Sequence, residues 1–194
     1  MYCQRKRSSS CKGEHLTTVY IYPWKKENSS WESILKEILK EDYGMEEMPH
    51  ILRDEMGKPY LQGSPIYFNV SHSGGYLALA ISNLPVGVDI QETKAVREGM
   101  YRKVVQPEEQ CLIGAEREKD FLRLWALKES FVKAEGRGLR IPMKEYYFFR
   151  ENGKYFVNYS GQRANWTFNI EEKAVDGYYV SVCSLEEKAV FIVK

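Results

Sequence analysis

Residues Thr17 to Tyr22 (TTVYIY) run β-branched and aromatic and stop at Pro23, the pattern of a strand with an abrupt end. Beyond it, Trp31, Ile34, Leu35, Ile38 and Leu39 recur at helical spacing and define one apolar face. Asn28, Ser29 and Ser30 offer N-caps for this helix, and Gly44 ends it. DEMGKPYL is a turn, after which Phe68 to Val70, Leu77 to Ile81 and Val86 to Ile90 form short strands separated by Gly74-Gly75 and by Asn83-Leu84-Pro85. The plan then repeats. A second helix spans Trp125 to Gly138 with the Trp-to-Gly separation of Trp31 and Gly44, FNI at Phe168 echoes FNV at Phe68, and GYYVSVCSLEEKAVFI from Gly177 matches GYLALAISNLPVGVDI from Gly75 at a constant offset. Three elements in the same order predict an α+β fold, a pseudo-dimer of two similar helix-plus-antiparallel-sheet halves. The predicted divisions are an N-terminal extension over 1–15, a first half over 16–92 and a second half over 93–194.

The repeat also marks where the copies diverge. It sets Phe191 against Asp89, and Leu35 against Glu129. A site at the junction would take its strand acid from one half and its helix acid from the other.

With 194 residues and 43% apolar content the chain buries a core of its own. A formal net charge of +1 excludes a coat for nucleic acid, so any anion site is local. Cys3, Cys11, Cys111 and Cys183 show no metal or disulfide spacing, which fits reduced thiols and a cytoplasmic location. The basic, Ser-rich segment 1–15 has no apolar signal-peptide core, and no apolar run reaches membrane-spanning length. The expectation is a protein neither secreted nor membrane-spanning.

In FLRLWALKESFVKAEGRGL, Phe121, Leu124, Trp125 and Val132 face a core, while Leu122, Ala126, Glu129 and Lys133 form a second stripe. Alone, Glu129 and Lys133 read as an ordinary surface pair. A matching acid at Asp89 and the small Ala126 beside them favour a site. Within VGVDIQ, alternation puts Gly87, Asp89 and Gln91 on one face, and an Asp and a Glu converging near an amide oxygen make a magnesium site of hard oxygen donors. SHSGG, Ser71 to Gly75, is either a simple turn or an anion site of hydroxyl, backbone N–H and imidazole donors. Ser71 and His72 have no GxSxG elbow or third triad member, and His15 and His50 read as surface residues.

GKP at Gly57 to Pro59, FNVSHSG at Phe68, GVDIQ at Gly87 and WALKESFVKAEGRGL at Trp125, in this order and spacing, resemble the 4'-phosphopantetheinyl transferases of the Sfp type. The resemblance runs from about Thr17 onward. It implies two α+β halves with coenzyme A between them, and transfer of its phosphopantetheine arm to a serine of an apo acyl or peptidyl carrier protein, releasing adenosine 3',5'-bisphosphate. Carried over by motif, it implies that Lys58, Ser71 and His72 bind CoA and that Asp89, Gln91 and Glu129 hold Mg²⁺. It implies further that Lys133 contacts a phosphate and that Glu129 is the base for the carrier serine. Two positions depart from the family. Gln91 stands where Glu is common, and the arginine that commonly precedes the first helix is missing, leaving Lys25 and Lys26 as the nearest cations. A monomer is expected, because the pseudo-symmetry is satisfied within one chain. The alternatives are a catalytically weakened module that binds CoA or a carrier protein, and an unrelated metal-dependent phosphodiesterase. Arg97, Arg102 and Lys103 mark either a docking segment for an acidic carrier or a solvated loop.

Overall fold

In the computed structural model the described residues are 16–25 and 30–194. The expected extension over 1–15, with Cys3, Cys11 and His15, lies outside them, as do Lys26, Asn28 and Ser29.

Strand β1 (Thr17–Pro23) leads to helix α1 (Trp31–Tyr43), whose N-cap is Ser30, its hydroxyl accepting from Ser33 N, and whose C-cap is Gly44. The hairpin β2 (Ile51–Arg53) and β3 (Pro59–Leu61) follows, then β4 (Tyr67–Ser73), β5 (Tyr76–Ser82) and β6 (Val86–Glu92). The second half opens with α2 (Glu98–Val104) and a 3₁₀ turn over Pro107–Leu112, then α3 (Arg117–Glu135). It continues through β7 (Tyr146–Glu151), β8 (Lys154–Tyr159), β9 (Gln162–Arg163), β10 (Thr167–Glu171), β11 (Tyr178–Ser184) and β12 (Ala189–Val193).

From α1 to β6, and again from α3 to β12, the chain orders a helix, a small side sheet and three strands, with β1 and α2 outside the shared order. The duplication shows in the register as well: Phe68 pairs with Ile81, and Phe168 pairs with Cys183 at the corresponding place. The turns after β5 and β11 are built alike, Leu84 N donating to Ser82 Oγ at 3.1 Å and Glu186 N to Ser184 Oγ at 3.3 Å. The halves exchange strands, however. One sheet has the order β12-β1-β5-β4 and the other β10-β11-β6, so β6 pairs along its length with β11, and β12 runs parallel to β1.

Period-two alternation sorts these strands into layers. Leu77, Leu79 and Ile81 of β5 face α1, where Ile34, Leu35, Ile38 and Leu39 cover them. Ala78 and Ala80, with Val19 and Ile21, face Val86, Val88 and Ile90 of β6 and Val180 and Val182 of β11, forming a core between the sheets. The opposite side of β6 and β11 is covered by α3, which also packs Leu124, Leu127 and Phe131 against Tyr146, Phe148 and Val157 of β7 and β8. The result is four layers, helix, sheet, sheet, helix.

Two expectations change. Helix α3 starts before Trp125 and ends at Gly136 (φ 71°) instead of at Gly138, although Gly138 also has positive φ. Aligning the two C-cap glycines sets Glu37, an exposed residue, against Glu129 in place of Leu35. And α3 does not have one core stripe: Leu122, Ala126, Leu127, Ser130, Phe131 and Ala134 are all buried, so Ala126 leaves no ligand space at the surface.

Candidate active site

The site begins with a glycine. A Cβ at Gly87 would lie inside the van der Waals envelopes of Ser130 O and Ala134 N and 2.9 Å from Lys133 C, so only glycine lets β6 lie directly on the α3 backbone. Two residues on, Asp89 faces the same helix and is 2% exposed. Its Oδ1 accepts from Lys133 Nζ at 2.6 Å and from Ser71 Oγ at 2.8 Å, and Oδ2 accepts from Gln91 Nε2 at 2.6 Å. Lys133 Nζ also donates to Ser71 Oγ at 2.9 Å and to Val88 O at 3.1 Å.

These contacts have a structural cause. β6 is an edge strand, and the backbone groups that β11 does not cover need partners. β4 supplies them from one face: Asn69 Oδ1 accepts from Val88 N at 2.9 Å, and Ser73 Oγ from Glu92 N at 3.1 Å. Ser71 lies between these two on the same face and meets Asp89. Read as a cluster from Ser71 to Gly75, a turn or an anion site, this stretch does not disclose the polar face Asn69, Ser71, Ser73 that alternation gives FNVSHS. Asn69 lies outside that cluster.

Glu129, half-buried on α3, acts electrostatically on the same centre. Burial, then the negative charge of Asp89, pushes its carboxyl above the ordinary carboxylate range, while the Lys133 ammonium pulls it back. Helix α3 is held from its far side by the Lys128–Glu109 ion pair, 2.8 Å long with both side chains fully buried. Glu109 also accepts from Phe148 N and Gln106 N, each at 2.8 Å. Burial lowers the Lys128 pKa, and Glu109 opposes that shift.

Asp89, Gln91, Lys133 and Ser71 are joined by hydrogen bonds, and Glu129 on α3 lies within electrostatic reach of Asp89 and Lys133. His72 is not among them. It projects from the opposite face of β4, exposed, with its ring 4.9 Å from that of Trp24. Lys58 is elsewhere again, its ammonium directed at backbone carbonyls at the end of α3; burial lowers its pKa, against the negative charges of Asp54 and Glu135. Lys25 is exposed next to Trp24.

A magnesium ion fits this donor set. Asp89, Glu129 and the Gln91 carbonyl are all hard oxygen donors, and a cation held by them would offset the burial and the Asp89 charge that together raise the Glu129 pKa. Gln91 presents its amide nitrogen to Asp89 Oδ2. Among the described residues no three His, Cys, Asp or Glu side chains converge, so the remaining ligands would be water and substrate oxygens.

Residues 85–183 match the family model of the 4'-phosphopantetheinyl transferase superfamily. The chain is 31% identical over 137 residues to the 4'-phosphopantetheinyl transferase gsp of Aneurinibacillus migulanus, covering 69% of this chain and 57% of that protein. It is 34% identical over 97 residues to the 4'-phosphopantetheinyl transferase Sfp of Bacillus subtilis strain 168, covering 47% and 43%. The chain spans about half the length of these curated relatives. Among solved structures, the holo-[acyl-carrier-protein] synthase of Thermotoga maritima aligns with a TM-score of 0.44 at 25% identity, over 54% of this chain and 64% of that one.

Proposed function

This chain belongs to the 4'-phosphopantetheinyl transferase superfamily, and on that premise we propose that it transfers the phosphopantetheine arm of coenzyme A to a serine of an apo acyl or peptidyl carrier protein. The observation that carries the reading is the junction of β4, β6 and α3, where Asp89, Glu129, Lys133 and Ser71 meet across the two halves. We take those halves as 16–92 and 93–194, with CoA bound at their seam and one chain as the working unit.

The carrier serine oxygen attacks the phosphorus of CoA that bears the pantetheine arm. The P–O bond to adenosine 3',5'-bisphosphate breaks, and the serine proton passes to Glu129, directly or through water. Burial, and after it the charge of Asp89, raises the proton affinity of Glu129, which suits it to this task. Lys133 holds Asp89 in one rotamer and can turn its ammonium to the charge on the departing phosphate. Ser71 offers a hydroxyl at the same place, and His72 with Trp24 forms a separate ring surface across β4 for another part of CoA. Mg²⁺, held by Asp89, Glu129 and Gln91, would neutralise pyrophosphate charge when bound. Arg102 and Lys103, exposed on α2, are the cations we assign to carrier docking.

Among the described residues no helix is long and apolar enough to cross a membrane. Cys111 and Cys183 are free thiols, as in a reducing cytoplasm. The test is to incubate the chain with CoA, Mg²⁺ and an apo carrier protein and to weigh the carrier. A mass gain of one phosphopantetheine arm on the carrier serine supports the reading. CoA binding without transfer supports the weakened module, and CoA breakdown without an acceptor supports a phosphodiesterase.

A further inference from the structure

We propose that Lys58 is a positioning residue that fastens the last turn of α3 to the start of β6, and so fixes Glu129 and Lys133 relative to Asp89. The inference rests on the transferase reading, and it gives Lys58 a different task from the CoA binding that the resemblance implies.

A lysine ammonium has three N–H donors. Those of Lys58 face three backbone carbonyls: Lys133 O at 2.5 Å, Val86 O at 3.2 Å and Ala134 O at 3.4 Å. Lys133 O and Ala134 O belong to the final turn of α3, where carbonyls have no partner within the helix and a cation is favoured by the helix dipole. Val86 O opens β6 on the edge that β11 does not cover, two residues before Val88, whose N–H and C=O are met by Asn69 and Lys133. One ammonium therefore ties the helix that carries Glu129 to the strand that carries Asp89, close to the point where Gly87 lets the two backbones touch.

The base from which Lys58 projects is itself fixed. Asp54 Oδ1 accepts from Met56 N and Lys58 N, each at 2.9 Å, and Asp54 N donates to Lys58 O at 3.0 Å. Gly57 supplies the positive φ this turn requires, at 82°. The Lys58 stem crosses the C-cap: a Cβ at Gly136 would be 3.7 Å from Lys58 Cδ. With every donor aimed at a carbonyl, a phosphate would have to break one of these bonds to be recognised by this group.

The test compares the full chain with Lys58→Met, which keeps the stem, and Lys58→Arg, which keeps the charge. Turnover with CoA and an apo carrier should fall about tenfold in Lys58→Met, as expected for a small displacement of reacting groups. KM for CoA and its dissociation constant by calorimetry should stay within about twofold, and Lys58→Arg should recover part of the turnover. A tenfold rise in KM and dissociation constant at unchanged kcat would overturn the inference and make Lys58 a phosphate ligand. Unchanged kinetics would overturn it as well. A second readout uses no turnover: the ¹⁵N ammonium signals of Lys58 and Lys133 in the wild-type chain. The Lys58 signal should be protected and unmoved by CoA, and Lys58→Met should shift the Lys133 signal. A Lys58 signal that moves on adding CoA counts against the inference, as does a Lys133 signal indifferent to the substitution. Failure of the wild type to load any carrier, with these signals as expected, would remove the transferase reading and leave the fastening in place.

Discussion

Helices α1 and α3 end alike, each at a glycine in left-handed conformation, Gly44 at φ 67° and Gly136 at φ 71°. Their surroundings differ. α1 covers one sheet with Ile34, Leu35, Ile38 and Leu39 and leaves Glu37 and Glu41 to solvent. α3 is enclosed by β6 and β11 on one side and by the β7–β8 hairpin on the other, and even Lys128 and Ser130 are fully buried. The strands diverge in the same sense. Asp89 on β6 takes three hydrogen bonds, while its counterpart Phe191 on β12 packs against the core between the sheets. A helix with one wet face lets its charges relax into water, where a pair contributes little. A helix enclosed on both sides holds them at fixed positions, which charge stabilisation of a transition state requires.

The sharpest way to break this comparison is to neutralise equivalent acids in the two copies. Glu129→Gln or Asp89→Asn should lower the rate of carrier loading by about 100-fold or more while the fold is retained. Glu37→Gln should leave the rate unchanged. A loading assay at saturating CoA and Mg²⁺ decides it, and near-normal turnover in either site variant would show that the centre lies elsewhere.

Next in size is the contact between backbones. Gly87→Ala must push β6 off α3 and should cost about 2–3 kcal/mol in urea unfolding, with loss of loading. Gly75→Ala, where a Cβ would meet nothing within 4 Å and φ is not positive, should change stability by less than about 0.5 kcal/mol.

A smaller effect separates the helices by pH. The folded-state pKa of Glu129 is raised above the ordinary glutamate value of 4.5, mainly by burial and then by Asp89. Its protonated form is therefore the one that folding favours, and that contribution is lost as pH rises from 4.5 through the raised value. In the presence of a chelator, Glu129→Gln should melt close to the wild type at pH 4, and above it at neutral pH. A Tm difference that does not grow with pH would mean that Glu129 is solvated like Glu37.

Smallest is the change at Gln91. Gln91→Glu adds a negative charge next to Asp89 and should lower the Mg²⁺ concentration for half-maximal loading by a few-fold, about the scale of one charge at a hydrated site. Identical Mg²⁺ curves would show that residue 91 stays turned toward Asp89 and away from the metal.

Much of this architecture could be read in the sequence because it is local. The alternation in β1, β4, β5 and β6 and the helical spacing of α1 belong to contiguous runs, and Asp89 stood out as an acid between Val88 and Ile90, which drew in Glu129 as its match on the helix. The end of α3 was misplaced because two glycines with positive φ follow each other closely, Gly136 and Gly138, and the spacing taken from α1 selected the second. α2 passed for a charged loop, since only Tyr101 and Val104 of its seven residues are buried. The hairpin β7–β8 did carry a signal, Asn152-Gly153 between aromatic runs, both with positive φ. What a one-dimensional pattern could not hold is the covering of the β6 edge, which joins Lys58, Asn69, Ser71, Ser73 and Lys133 from three separate elements.

The exchange of β12 onto β1 also sets an order of events during synthesis. β1 is made well before its parallel neighbour β12, which pairs Thr17 with Ala189 through Ile21 with Val193. At ordinary elongation rates that leaves one edge of β1 uncovered for roughly ten to thirty seconds. Until then the nascent chain carries Val19 and Ile21 beside an open strand edge, the kind of surface that recruits holding chaperones or pairs wrongly with a second chain. Closure is thus long-range and late, and folding should be slow for a chain of this size. Loss of β12 alone would leave a product with its site residues present and its first sheet unfinished.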